Sequence, residues 1–188
     1  MAAYQHVKAR DHAICCPSTK GDARRWRHDE IKKAVALFLQ ECGYSPEVEP
    51  EDYDEASRKH PDIVVRIGKF SYAIEVSVTH PIQAPLEVLQ GAATRAGYAM
   101  DLRIAQKRKK YENLCAARKE RLVVCAVETF GRVSEEFVKF AKHAAAQSHK
   151  GSFALESAVD RLFARVSVAL HTGNLRVWRA YMRKCRVD

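Results

Sequence analysis

His60-Pro61-Asp62-Ile63-Val64-Val65-Arg66-Ile67-Gly68-Lys69-Phe70-Ser71-Tyr72-Ala73-Ile74-Glu75-Val76-Ser77-Val78-Thr79-His80-Pro81 decides how this chain folds. Two apolar runs, Ile63 to Ile67 and Phe70 to Thr79, are separated by Gly68-Lys69, a pair suited to a tight turn between antiparallel strands. In the second run Phe70, Tyr72, Ile74, Val76 and Val78 alternate with Ser71, Ala73, Glu75, Ser77 and Thr79. Neighbouring strand residues face opposite ways, so the aromatic and branched set packs into a core. Glu75 then shares a small-residue face with Ala73 and Ser77, with open space expected over it. Asp62 lies 13 positions before Glu75 (75 − 62), a separation that the hairpin folds back to one end of the sheet. Two acids sharing one space repel unless something neutralises them, and a divalent cation with oxygen ligands is the usual remedy. Taken singly, an Asp after Pro is ordinary turn chemistry and a strand Glu is commonly solvated. The pairing is what points to a site.

Upstream of the hairpin, Tyr44 to Glu49 reads as a short strand closed by Pro50, and Glu51 to Lys59 as a polar loop. Before that strand, Ile31, Ala34, Val35, Phe38 and Cys42 recur at three- and four-residue intervals, with Asp29 as helix N-cap and Gly43 as the stop. Glu30 and Glu49 are read as solvated acids. Residues 1–27 read as an irregular basic arm in which Arg24, Arg25 and Arg27 surround Trp26. That cluster suits phosphate contacts with an aromatic ring between them, or a solvated helix start. His12, Cys15, Cys16 and His28 carry zinc-ligand chemistry, but adjacent cysteines seldom both ligate one tetrahedral ion, which argues against a complete Zn²⁺ site.

Downstream, Leu86 to about Arg118 is helical in pattern and interrupted or bent near Gly91 and Gly97. It carries a basic knot, Lys107-Arg108-Lys109-Lys110-Tyr111, of which Lys107, Lys110 and Tyr111 share one helix face. The run Arg121 to Thr129 is nearly unbroken apolar and suits a strand buried on both faces. Two helical stripes follow, Phe137-Phe140-Ala141-Ala144 and Leu155-Val159-Leu162-Phe163-Val166. His171 to Asn174 breaks the pattern before a last basic helix with Trp178, Tyr181 and Met182. The chain divides into the arm (1–27), a core (28–131) and a helical extension of the same domain (132–188).

The 188 residues suffice for one domain with a proper core, and a 47% hydrophobic fraction argues for an ordered globule. The formal charge of +9, from 32 Lys+Arg against 23 Asp+Glu, favours a polyanionic partner. Six cysteines without framework spacing suit a reducing compartment. No apolar run approaches the roughly 20 residues that cross a bilayer. An intracellular protein without a membrane partner is therefore expected.

The element order, helix, three strands, helix, strand, together with Pro61-Asp62 and Glu75-Val76-Ser77, resembles the PD-(D/E)xK nuclease superfamily, with Ser77 standing where that superfamily carries its lysine. In particular, Arg27-His28-Asp29, Glu47-Val48-Glu49-Pro50, His60-Pro61-Asp62, Ile74 to Pro81, the Lys107/Lys110-Tyr111 grouping and Val127 to Gly131 resemble the restriction-enzyme-like endonuclease domain of site-specific non-LTR retrotransposons. The likeness spans roughly residues 12 to 180. It implies an α/β fold with a restriction-endonuclease-like αβββαβ core, a mixed central sheet and C-terminal helices. It further implies a metal-dependent endonuclease in which Asp62 and Glu75 bind Mg²⁺, or Mn²⁺ as a substitute, and Lys107 or Lys110 supplies the catalytic cation from a helix. Tyr111 would be a supporting residue, and Arg24, Arg25, Arg27, Lys107, Lys110 and Tyr111 would contact double-stranded DNA. The alternative is a catalytically inactive DNA-binding or interaction module of the same fold. No reverse transcriptase lies within these residues, so the resemblance implies an isolated domain, a remnant, a free-standing relative, or a piece of a polyprotein that supplies a reverse transcriptase or RNA component. The location would be nuclear if the source is a eukaryotic retroelement.

Overall fold

A computed structural model of the chain describes residues 13–14, 21–51, 53–54, 60–82, 86–148 and 152–184, with side chains of the last segment described from 157 onward. The elements run α1 (Asp22–Glu41), β1 (Glu47–Val48), β2 (Ile63–Ile67), β3 (Phe70–Thr79), α2 (Leu86–Thr94), α3 (Tyr98–Ala117), β4 (Glu120–Glu128), α4 (Glu135–Ala146) and α5 (Ser152–Lys184). The four strands form one mixed open sheet in the order β1-β2-β3-β4, giving an α/β fold. The first three strands are antiparallel neighbours, and β4 runs parallel to β3. A parallel pair needs a crossover, and here α2 and α3 provide it.

The β2–β3 hairpin forms as its alternation dictates. Ile67 pairs with Phe70 across the turn, where Gly68 adopts φ 58°, a left-handed value that glycine takes without a Cβ penalty. Ile63, Val65, Ile67, Tyr72, Ile74 and Val76 point to one face. There they meet Val35, Phe38 and Leu39 of α1, Phe137 of α4, and Leu162 and Leu170 of α5 in one hydrophobic core. The C-terminal helices thus belong to the same packed body as the sheet. The opposite face, carrying Ala73 and Glu75, lies under α3 through Tyr111 and Cys115, with Met100 covering Val124 and Ala126. Helices on both faces of a sheet make three layers.

Several boundaries differ from the sequence expectation. Helix α1 begins at Asp22 instead of after Asp29, so Arg24 to His28 are its first turns and not part of an irregular arm. The apolar period is silent there because the buried face uses Arg27 and Lys32, whose aliphatic stems pack while their heads reach polar partners. The remainder of the expected arm, with His12, Cys15 and Cys16, lies outside the described residues. The second difference is α5, which runs unbroken through His171 to Asn174. Its buried stripe, Ala158-Leu162-Val166-Ala169/Leu170-Val177, keeps its spacing across Gly173. Gly173 serves close approach: a Cβ there would lie 2.4 Å from Arg27 Cβ on α1. The helix predicted from Leu86 to about Arg118 is interrupted at Arg95–Gly97, as expected for Gly97, whereas Gly91 lies inside α2 with no break there.

Candidate active site

The last antiparallel pair of the hairpin is Ile63 with Ile74, so the next rung sets Asp62 opposite Glu75. Asp62 is held from both sides. Its carbonyl accepts the Glu49 N–H at 2.9 Å, and its Oδ2 accepts the Val76 N–H at 2.7 Å. The same Oδ2 lies 3.3 Å from His28 Nε2, which is also 3.2 Å from the Val76 carbonyl. A single imidazole edge from α1 therefore faces one carboxylate and one strand carbonyl together.

Glu75 is only 3% exposed, because α3 crosses directly over it. The open space expected above Glu75 is filled by the crossover helix, a tertiary feature that strand alternation cannot register. From α3 the Lys107 ammonium donates to Glu75 Oε1. Lys110 instead donates to the Tyr111 hydroxyl at 2.6 Å and sits over that ring, 4.4 Å from its centroid. Of the two lysines left open by the sequence, Lys107 is the one that touches the acid.

Electrostatics follow this geometry. Burial, and then the charge of Asp62, push the pKa of Glu75 up against the pull of Lys107. Asp62 is also buried, which alone would raise it. The His28 hydrogen bond and charge, with the Val76 N–H, outweigh that and hold its carboxyl below the usual value. His28 is desolvated too, yet its contacts with Asp62 and then Asp29 leave it raised and favour the imidazolium. Burial and the neighbouring Glu75 charge push the Tyr111 phenol up to about 12, so it stays protonated at neutral pH.

Beside the acids, between α1, the end of β3 and α3, opens a cleft of about 450 Å³. Its lining includes Arg24, His28, His80, Arg103 and Lys107, and no described residue lining it is acidic. Arg103 is a site residue that sequence reasoning missed. Its Nε donates to Ser77 Oγ at 3.1 Å, so that β3 serine is met by an arginine from α3. The available signal was helical spacing, since Arg103 lies four residues before Lys107 on one face. His28 reaches Asp62 because α1 starts at Asp22, ahead of the apolar period, and so carries the imidazole on its own face.

Other expected residues are placed differently. Arg27, expected among the DNA contacts, is buried, and its Nη1 donates to Asn174 Oδ1 at 2.6 Å. Arg24 donates to the Ile14 carbonyl at 2.7 Å and lines the cleft, and Arg25 is exposed on α1. Glu49 pairs with Lys32, which also reaches Asp29 at 3.1 Å, while Glu30 pairs with Lys33 at 2.7 Å. His28, the one described member of the zinc set, is turned to Asp62. A larger cavity, about 830 Å³, follows β4, but its Arg108 and Lys139 are paired with Glu136 at 2.7 Å and Glu135 at 2.8 Å.

No group of three or more His, Cys, Asp and Glu side chains among the described residues could hold a metal ion. The Asp62 carboxylate and the Val76 carbonyl both lie against His28 Nε2, and the Asp62 charge acts on Glu75; these oxygens are hard donors of the kind Mg²⁺ takes with water completing its shell. No model of a known family and no curated protein matches the chain. No helix among the described residues is long and apolar enough to cross a membrane.

Proposed function

We propose that this chain is a metal-dependent DNA endonuclease of the PD-(D/E)xK type, related to the target-site endonucleases of non-LTR retrotransposons. The observation that carries the reading is the facing of Asp62 and Glu75 across the hairpin with the Lys107 ammonium on Glu75. The sheet order and directions, with α1 before the strands and α3 between β3 and β4, support it.

Asp62, Glu75 and the Val76 carbonyl would hold Mg²⁺, and Mn²⁺ offers the same preference for oxygen donors. Bound there, the ion would polarise the scissile phosphate and lower the pKa of a water that becomes the nucleophile. The protein's own groups do the rest. The Lys107 ammonium, released from Glu75, neutralises charge that builds on the phosphate oxygens. Arg103, oriented by Ser77, and Arg24 present guanidinium groups to the phosphodiester in the cleft. His28 keeps Asp62 ionised and fixed in direction. An acid-free cleft lining with several cations suits a phosphate backbone, and such binding is salt-sensitive.

A supercoiled-plasmid nicking assay with Mg²⁺, run beside EDTA, Asp62→Ala and Glu75→Ala, tests this. Wild type should nick only with metal, and each variant should lose about a hundredfold or more. Binding without Mg²⁺-dependent nicks from folded protein would sink the enzyme reading. It would leave a DNA-binding module, which Ser77 in place of the customary lysine favours.

A further inference from the structure

On the side of α1 away from the cleft, the first turns of that helix and the last turns of α5 enclose a groove of about 660 Å³ lined by Asp22, Trp26, Arg176, Trp178, Arg179, Met182 and Arg183, one carboxylate against three guanidinium groups. Arg176 lies over the Trp26 ring, 3.9 Å from its centroid. Arg176, Arg179 and Arg183 are exposed and fall at i, i+3 and i+7 on one face of α5. Elsewhere on this helix Arg165 and Arg161 are spent on Glu41, at 2.6 and 3.4 Å. No carboxylate among the described residues pairs with the three arginines of the groove. Trp178 keeps 41% of its surface exposed. Three exposed guanidinium groups, none in an ion pair with the single carboxylate of the groove, and a half-exposed indole leave this surface with a net positive charge and an aromatic face.

We infer that this groove binds an unpaired DNA strand, a base stacking on Trp178 and its phosphates meeting Arg176, Arg179 and Arg183. Duplex DNA offers phosphates to the arginines but keeps its base faces stacked on one another. Aromatic platforms between cations are the means by which single strands are gripped without regard to sequence. The inference rests on the DNA reading above and deepens it. Trp26 lines the groove and His28, two residues on, lines the cleft, so the first turns of α1 form the wall between the two sites. A strand freed beside the cut would be retained next to the duplex.

The chain has two tryptophans, both in this groove, so its tryptophan emission reports on the groove alone. The 188-residue chain carrying Asp62→Ala, in EDTA, is titrated with a twenty-nucleotide oligothymidylate, with a duplex of equal length, and with vesicles rich in phosphatidylserine, all at matched salt. Emission should be quenched by the single strand at severalfold lower concentration than by the duplex. Trp178→Ala should weaken single-strand affinity about tenfold and duplex affinity less than twofold. Arg183→Gln, at an exposed position that cannot upset packing, should weaken the single strand and lower its salt dependence by about one counterion. Equal loss for both nucleic acids, no quenching by the single strand, or quenching by vesicles in its place overturns the assignment. Because quenching is read without metal and in a protein that cannot cut, its failure leaves the nuclease reading intact. Failed nicking with quenching preserved overturns only the nuclease.

Discussion

Lys107 on α3 donates a hydrogen bond to Glu75 on β3 from 32 positions along the chain, while Lys110, one turn on, is occupied with Tyr111. This division of labour separates two residues that sequence spacing leaves equivalent. Replacing Lys107 with Met should cut Mg²⁺-dependent nicking by about a hundredfold, the scale of losing one preorganised charge at a transition state. Lys110→Met should cost less than tenfold. Equal losses measured in parallel plasmid assays would reassign the cation.

Glu75 is buried beside the charge of Asp62, so a bound dication should relieve their repulsion and stabilise the fold. Calorimetry with and without millimolar Mg²⁺ should show a higher Tm in the metal, at about 2 to 4 °C per kcal/mol of binding linkage for a chain of this size. Asp62→Asn and Glu75→Gln should each abolish the shift. Because the Glu75 pKa is raised, protons compete with the ion at a higher pH than for an ordinary glutamate near 4.3. The metal-induced shift should therefore fade on acidification before that value is reached. A shift unchanged in both variants would remove the ion from this pair.

In EDTA, His28 should write its own signature on stability. Its folded pKa is raised, so its contribution is fully present below the unfolded value near 6.5 and is lost as pH rises through the folded value. Urea unfolding from mildly acidic to alkaline pH should show that decline in wild type and a flatter profile in His28→Asn. Superimposable profiles would mean that the imidazole carries no extra proton.

The contact of Arg27 with Gly173 gives a purely structural prediction. Gly173→Ala gains about 1 kcal/mol of helix propensity. The new Cβ would meet Arg27 Cβ and Cγ at 2.4 Å, and Arg27 Cβ is fixed to the α1 backbone, so the two helices must part. Overpacking of this kind costs about 1 to 3 kcal/mol and displaces the Arg27–Asn174 hydrogen bond as well. Thermal unfolding should show a lower Tm in Gly173→Ala. A higher Tm would mean that α1 and α5 do not approach this closely.

Residues whose burial follows from local alternation were legible in the sequence. The hairpin, its turn and the pairing of Asp62 with Glu75 come from period-two patterning and a glycine, which need no knowledge of the rest of the chain. The parallel strand Glu120–Glu128 was legible as an unbroken apolar run. What depends on remote surfaces was not. Gly173 looks like a break until α1 lies against it, and Arg27 looks like a surface cation until Asn174 receives it. Arg103 is indistinguishable from a solvated arginine until the crossover carries it over Ser77. The helix face of Lys107 could be read, but its aim at Glu75 could not.

The parallel pairing of β3 with β4 obliges the backbone to travel back across the sheet, and α3 is part of that return journey. The amine that meets Glu75 is thus carried by the segment that makes the topology, so it cannot be trimmed away like a surface insertion. During synthesis both acids emerge well before Lys107, which lies 32 positions after Glu75. A chain ended before α3 would carry the acids without their ammonium, which ties the charge balance of Glu75 to the crossover.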